Sequence, residues 1–117
     1  GPWEAEWGRA AARLLLNDGA AFDAVICQND VLARGCIEEL ERNGCRVPQD
    51  VAVIGHDNSP DYVSYAHPLL TSIDDNNEML GRQAALCLLD AIAGHPHHGV
   101  ERVPVKLIQR ESTLPLD

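Results

Sequence analysis

Positive charge is what this chain has least of. Its 117 residues carry nine Lys and Arg against eighteen Asp and Glu, a formal net charge of −9. Neutralising phosphates takes clustered cations, so this segment is expected to have no measurable affinity for DNA. No apolar run approaches the roughly 18 residues of a membrane span, and no basic, then apolar, then small-residue leader opens the chain. Gly1-Pro2 reads equally well as a tag-cleavage scar and as native sequence. Cys27, Cys36, Cys45 and Cys87 form no Cys-x-x-Cys pair, so the expectation is reduced, mostly buried thiols in a cytoplasmic protein. The glycines fit neither Gly-x-Gly-x-x-Gly nor the P-loop spacing, and there is no Gly-x-Ser-x-Gly elbow. Nothing here supports an enzyme, and no cofactor is expected.

What is present is ordinary for a folded domain: 45% hydrophobic and 23% charged residues. A chain of this length makes a single domain that buries roughly two-thirds of its unfolded surface without metal or disulfide. Periodicity predicts a helix over Glu4 to Leu16, with Trp7, Ala10, Ala11, Leu14 and Leu15 on its apolar face. Asn17-Asp18-Gly19 stops it, and Ala24 to Cys27 reads as a buried strand. A second helix follows from Val31 to Asn43, with Glu38, Glu39, Glu41 and Arg42 toward water and Gly44 as its stop. Val51 to Gly55 is another buried strand, and the loop from His56 to Pro68 has room for one helical turn. Leu70 to Ile73 is a short strand. The longest helix runs from Asn77 to Ala93, with Met79, Leu80, Ala84, Leu88 and Leu89 inward, and Val103 to Gln109 closes as an edge strand after Pro104.

Alternating strands and helices imply an α/β domain of three layers, a mostly parallel sheet flanked by helices. In such sheets ligands bind beyond the carboxyl ends of the strands. The polar residues there are Asn29-Asp30 after the first strand and His56-Asp57-Asn58 after the second. Asp57 offers a carboxylate that can accept paired hydrogen bonds from hydroxyl or ring N–H groups. Asn29 offers both a donor and acceptors. Asp30 directly precedes a helix and is expected to be its N-cap. His95-Pro96-His97-His98 could pick up a metal ion, but no carboxylate or thiolate joins it at ligand spacing, so no metal site is expected.

Several stretches carry a resemblance. Asn29-Asp30-Val31-Leu32-Ala33-Arg34-Gly35 resembles an Asn-Asp-x-x-Ala-x-Gly strand-to-helix turn, and Val47-Pro48-Gln49-Asp50-Val51-Ala52-Val53-Ile54-Gly55-His56-Asp57-Asn58 resembles a Val-Pro-x-Asp-Val-x-Val-x-Gly-Phe/Tyr-Asp-Asp/Asn strand. Pro68-Leu69-Leu70-Thr71-Ser72-Ile73 and Arg110-Glu111-Ser112-Thr113 follow in the same order. From Trp3 to Leu114 the chain is similar to the C-terminal part of the effector-binding domain of lactose/galactose-repressor-type transcription regulators. The resemblance implies a periplasmic-binding-protein-like fold and a chain that begins inside the second subdomain. The first subdomain and the DNA-binding headpiece would lie outside it, so DNA would be reached only through that headpiece. It implies a small-molecule effector, a sugar or nucleoside, held by Asp57 and Asn29. Trp3 would stack on the effector ring, and Asp75 and Asn77 would stand at the cleft rim. His56 replaces the commoner Phe or Tyr and is expected to pack rather than bind.

A homodimer is also expected. Apolar residues lie on more than one side of the Val31 to Asn43 helix, so one side covers the sheet and the other needs a partner. Tyr62, Val63 and Tyr65 concentrate apolar and aromatic character in one loop, although aromatics are only 4% of the chain. With the family's interface placed there too, Leu32, Cys36, Tyr62, Val63 and Tyr65 are the expected contacts. A solute-binding protein of an ABC-type transporter shares the fold and is the alternative function. A flavodoxin-like signalling module fits less well, because Lys106 falls in mid-strand.

Overall fold

The computed structural model describes residues 3–114, and Gly1-Pro2 lie outside them. In chain order the elements are α1 (Ala5–Asn17), β1 (Ala24–Ile26), α2 (Asp30–Arg42), β2 (Ala52–His56), α3 (Pro60–Val63), β3 (Thr71–Asp74), α4 (Asn77–Ile92) and β4 (Lys106–Ile108). The sheet order is β1-β2-β3-β4. β1, β2 and β3 are parallel, with Val25 opposite Val53 and Gly55 opposite Ser72. β4 joins antiparallel, with Ile73 opposite Leu107, so the sheet is mixed. The chain leaves β3 at the carboxyl edge, and α4 does not cross back over the sheet. The returning strand therefore enters from that same edge.

The core lies where α2 covers the sheet: Ala33, Ile37 and Leu40 meet Val51, Val53, Val63 and Leu70. Burying each aliphatic side chain there contributes about 1.5–3 kcal/mol. α1 packs on α2 backbone to backbone. A Cβ at Gly8 would stand 2.1 Å from the Leu32 carbonyl oxygen, and one at Gly35 would stand 1.9 Å from the Ala5 carbonyl oxygen. Across that seam Arg9 pairs with Glu38 at 2.7 Å and Arg13 with Glu39 at 3.0 Å.

This packing corrects several expectations. α1 buries Gly8 and Ala12, while Trp7 and Leu14 are 56% and 71% exposed, because a close helix crossing selects the smallest residues. Glu39 does not face water: Arg13, Arg42 and Asn43 enclose its carboxylate. β1 is an edge strand among the described residues, with Ile26 exposed, rather than a buried one. Only Cys36 of the four cysteines is fully buried, and all four are free thiols. The side of α2 left for a partner is taken by α1. Cys36 and Val63 thus belong to this chain's own core and cannot serve as partner contacts.

Arg34, a charged residue inside the α2 motif, is buried. Its guanidinium donates to the backbone carbonyls of Tyr62, Val63 and Pro68, and its centre lies 5.2 Å from the Tyr65 ring. It thereby fixes the α3 loop, leaving Tyr62 half-buried and Tyr65 outward. The closing Arg110-Glu111-Ser112 is stitched under β2 and β3. Ser112 Oγ donates to the Val53 carbonyl at 2.6 Å and accepts from the Thr71 N–H at 2.8 Å.

α4 is the exception to this compactness. None of its residues is buried, and it has no substantial contact with any other helix or strand. Met79, Leu80, Leu88 and Leu89, expected inward, are exposed, as is Ala84. The apolar stripe is there, but no described surface covers it. The molecule is accordingly drawn out to 60 × 35 × 26 Å, with a radius of gyration of 17.9 Å, against about 13 Å for a compact chain of this size.

Candidate functional site

Three parallel strands end on one edge, and their exits carry polar residues from separate parts of the sequence. Asn29 follows β1 and has extended backbone; its side-chain oxygen accepts from the Leu32 N–H at 2.8 Å. Asn29 is therefore the cap of α2, the role expected of Asp30. Asp30 is the first helical residue and points inward, 1% exposed. One of its oxygens accepts from Ser72 Oγ at 2.6 Å and the other from the Ser59 N–H at 2.7 Å. A buried carboxylate is tolerated only when bonded in this way. A Cβ at Gly55 would stand 2.2 Å from Asp30 Oδ1, so the glycine in the β2 motif makes room for that carboxylate. Asp30 ties the ends of β2 and β3 to the start of α2, a bracing role that its sequence position alone does not reveal.

Asp57 and Asn58 follow β2 with φ of 101° and 49°, an unusual pair of left-handed residues. The Asp57 N–H is held by the Ile73 carbonyl at 2.9 Å, which turns the side chain out of the sheet. Its carboxylate is exposed and accepts no hydrogen bond from any described residue. Partial loss of hydration raises its pKa, as do the nearby Asp30 and Asp75, while His56 opposes them. Asn58 is fully engaged, donating to Asp74 Oδ2 at 3.0 Å and accepting from Arg110 at 2.7 Å.

Asp75 follows β3. Its Oδ1 lies 2.6 Å from His56 Nε2, and that bond raises the His56 pKa above its ordinary value. His56 packs and pairs rather than standing free, and ligand atoms of His56, Asp57 and Asp75 lie within 4.8 Å of one another. Asn77 opens α4 and is exposed. Trp3 is 58% exposed, two residues ahead of α1. α1 crosses α2 closely, with Ala5 at Gly35 and Gly8 at Leu32.

Asn29, Asp57, Asp75 and Asn77 thus follow the three parallel strands onto one rim. It offers an unengaged carboxylate and a primary amide, groups suited to a polyhydroxylated or heterocyclic ligand. An apolar groove lies elsewhere, between α1 and β1, with a volume of about 650 Å³ and a lining that includes Trp7, Leu15, Val25 and Ile26. It follows the uncovered sheet edge rather than the polar rim.

The sequence reading also missed a gathering of side chains. His97 stands beside Asp90 and Glu101, and Cys87 lies within reach of Glu101. Glu101 lies four residues beyond His97 in the same loop, and Cys87 and Asp90 join it because α4 and its return loop run side by side.

The model of the periplasmic binding protein-like domain matches residues 2–113. The transcriptional repressor CytR of Escherichia coli K12 is 37% identical over 117 residues, covering 99% of this chain and 34% of that protein. A lac repressor dimer solved with operator and the anti-inducer ONPF matches at a TM-score of 0.88 and 32% identity, over 97% of this chain and 39% of that one. The transcriptional regulator CelR in complex with cellobiose matches at 0.81 and 36%, over 94% and 34%. The chain spans about a third of the length of the curated relatives it matches.

Proposed function

This chain belongs to the periplasmic binding protein-like domain family, and we propose that it is the effector-sensing part of a LacI-type transcription regulator. In this reading it is one partial domain, the C-terminal subdomain of a longer cytoplasmic protein. A sugar or nucleoside-like molecule binds between this rim and a second subdomain. Asp57 accepts hydrogen bonds from the ligand's hydroxyl or ring N–H groups. Asn29 supports it with the amide group that its cap bond leaves over, Trp3 stacks on the ring, and Asp75 and Asn77 line the entrance. Binding biases closure of the two subdomains, and ligand and DNA affinity are then reciprocally linked. A homodimer uses the α3 loop, with Tyr62 and Tyr65 toward the partner, beside the partly exposed Leu32. DNA is contacted by a headpiece outside this chain, since a net charge of −9 repels it.

The observation that carries the reading is the Asp57 carboxylate, exposed and unbonded on left-handed backbone at the carboxyl edge of the sheet. The test is calorimetry on the full-length protein with a panel of sugars and nucleosides, wild type against Asp57→Ala. Loss of charge-assisted hydrogen bonds costs about 1.5–3 kcal/mol each, roughly 10- to 150-fold in affinity. Unchanged affinity removes Asp57 from the site. Operator DNA held by the full-length protein and released by the same ligand supports the regulator; ligand binding without any DNA affinity favours the transporter solute-binding reading.

A further inference from the structure

We propose that Cys87, His97 and Glu101 form a zinc-binding site joining α4 to its return loop. Cys87 sits on the last turns of α4, and His97 and Glu101 lie on the segment that leads back toward β4. One ligand atom from each of the three lies within 4.8 Å of the other two, a spacing a single ion can bridge. His97 Nδ1 is 3.0 Å from Glu101 Oε1, and Cys87 Sγ is 3.7 Å from Glu101 Oε2.

The orientation of His97 is a second, separate observation. Its Nε2 lies 2.6 Å from Asp90 Oδ2, so Nε2 carries a proton toward Asp90 and Nδ1 is directed at Glu101. A carboxylate holding the far nitrogen of an imidazole is the usual outer support of a metal-bound histidine, fixing its tautomer and raising its basicity. Cys87 and Asp90 are three apart on α4 and share a helix face; Asp90 is thus placed to support rather than to ligate.

Thiolate, imidazole and a single carboxylate are a zinc donor set, whereas calcium and magnesium take oxygen alone. Three protein ligands leave the fourth tetrahedral corner to water or to His95 or His98 of the same loop. Loss of hydration raises the Cys87 pKa, as do the charges of Glu101 and Asp90; a cation reverses that balance, and its binding releases the thiol proton and the Nδ1 proton of His97 to solvent. His97 and Glu101 are 43% and 54% exposed, which gives an ion access.

The test titrates Zn²⁺ and Co²⁺ into metal-free full-length protein kept reduced, with zinc affinity measured by chelator competition. The expected result is a single ion per chain, with a sulfur-to-cobalt charge-transfer band and the strong visible bands of a tetrahedral site. Cys87→Ser abolishes the charge-transfer band, and His97→Gln and Glu101→Gln weaken zinc. Asp90→Asn weakens it by about 10- to 100-fold while the band persists, an effect a merely structural Asp90 would not produce. His56→Gln changes nothing. Asp90, His97 and Glu101 are exposed and Cys87 and His56 half-buried, and far-ultraviolet circular dichroism checks that each variant is folded. Overturning results are no binding, binding that survives both Cys87→Ser and His97→Gln, or binding lost in His56→Gln.

Discussion

The body of this molecule and its arm are built from equally apolar sequence and end differently. The body, α1 to β3, puts Leu40, Val53 and Leu70 at 0% exposure and meets its buried polar groups with bonds. The arm, α4 with its return loop, carries Met79, Leu80, Leu86, Leu88, Leu89 and Ile92, all exposed. An apolar stripe therefore states that a helix needs cover, not that its own chain supplies it. In the body the cover is short-range: α1, α2 and β2 follow one another closely in sequence. In the arm no described element comes back across the stripe.

The sharpest way to break this comparison is paired truncation. Leu40→Ala should destabilise the chain by about 2–5 kcal/mol, as cavity formation in a packed core does. Leu89→Ala should stay within about 0.5 kcal/mol. Urea unfolding of the two variants of this chain measures both, and equal costs would mean that the arm is covered in solution. A smaller change tests the α1–α2 seam. Gly35→Ala drives a methyl into the Ala5 carbonyl and should cost about 1–3 kcal/mol, whereas Gly81→Ala in the arm meets nothing within 4 Å and should be neutral or stabilising, because alanine favours helix.

The smallest effect lies where the two regions join, since Asp75 sits between β3 and α4. The Asp75 hydrogen bond raises the His56 pKa above 6.5. A raised histidine pKa contributes stability that is fully present below about pH 6.5 and lost as pH rises through the raised value. NMR titration should place the His56 midpoint above its ordinary value, and Asp75→Asn should return it toward 6.5 and flatten that part of the pH profile.

The element order was legible because strands and helices differ in period, and each boundary fell within a few residues. Edge position at β4 was legible from Pro104. The antiparallel direction of β4 was not, because it depends on where α4 travels. Asp57 could be read as a candidate from its place after a strand in an α/β alternation, and its exposure there is what the fold adds. Asn29 took the capping role expected of Asp30: both can cap a helix, and only the backbone decides which side chain reaches the N–H of Leu32. Glycine inside a helix costs about 1 kcal/mol against alanine, yet Gly8 and Gly35 are the seam itself. Arg34 was silent in the sequence because a buried arginine gives no pattern. Its need for acceptors is met by the Tyr62, Val63 and Pro68 carbonyls, which come together only after folding.

Asn58 gives the arm its mechanical meaning. The arm is a loop anchored at both ends, leaving the body through Asp74 and returning through Arg110. Asn58 grips both, its amide nitrogen on Asp74 and its oxygen on Arg110. α4 enters the sheet through the β3 and β4 backbones, and Asn58 clamps the two ends of that excursion together. The next residue back along the chain is Asp57, held on left-handed backbone. The turn that presents the rim carboxylate is thus tied through Asn58 to both ends of the arm.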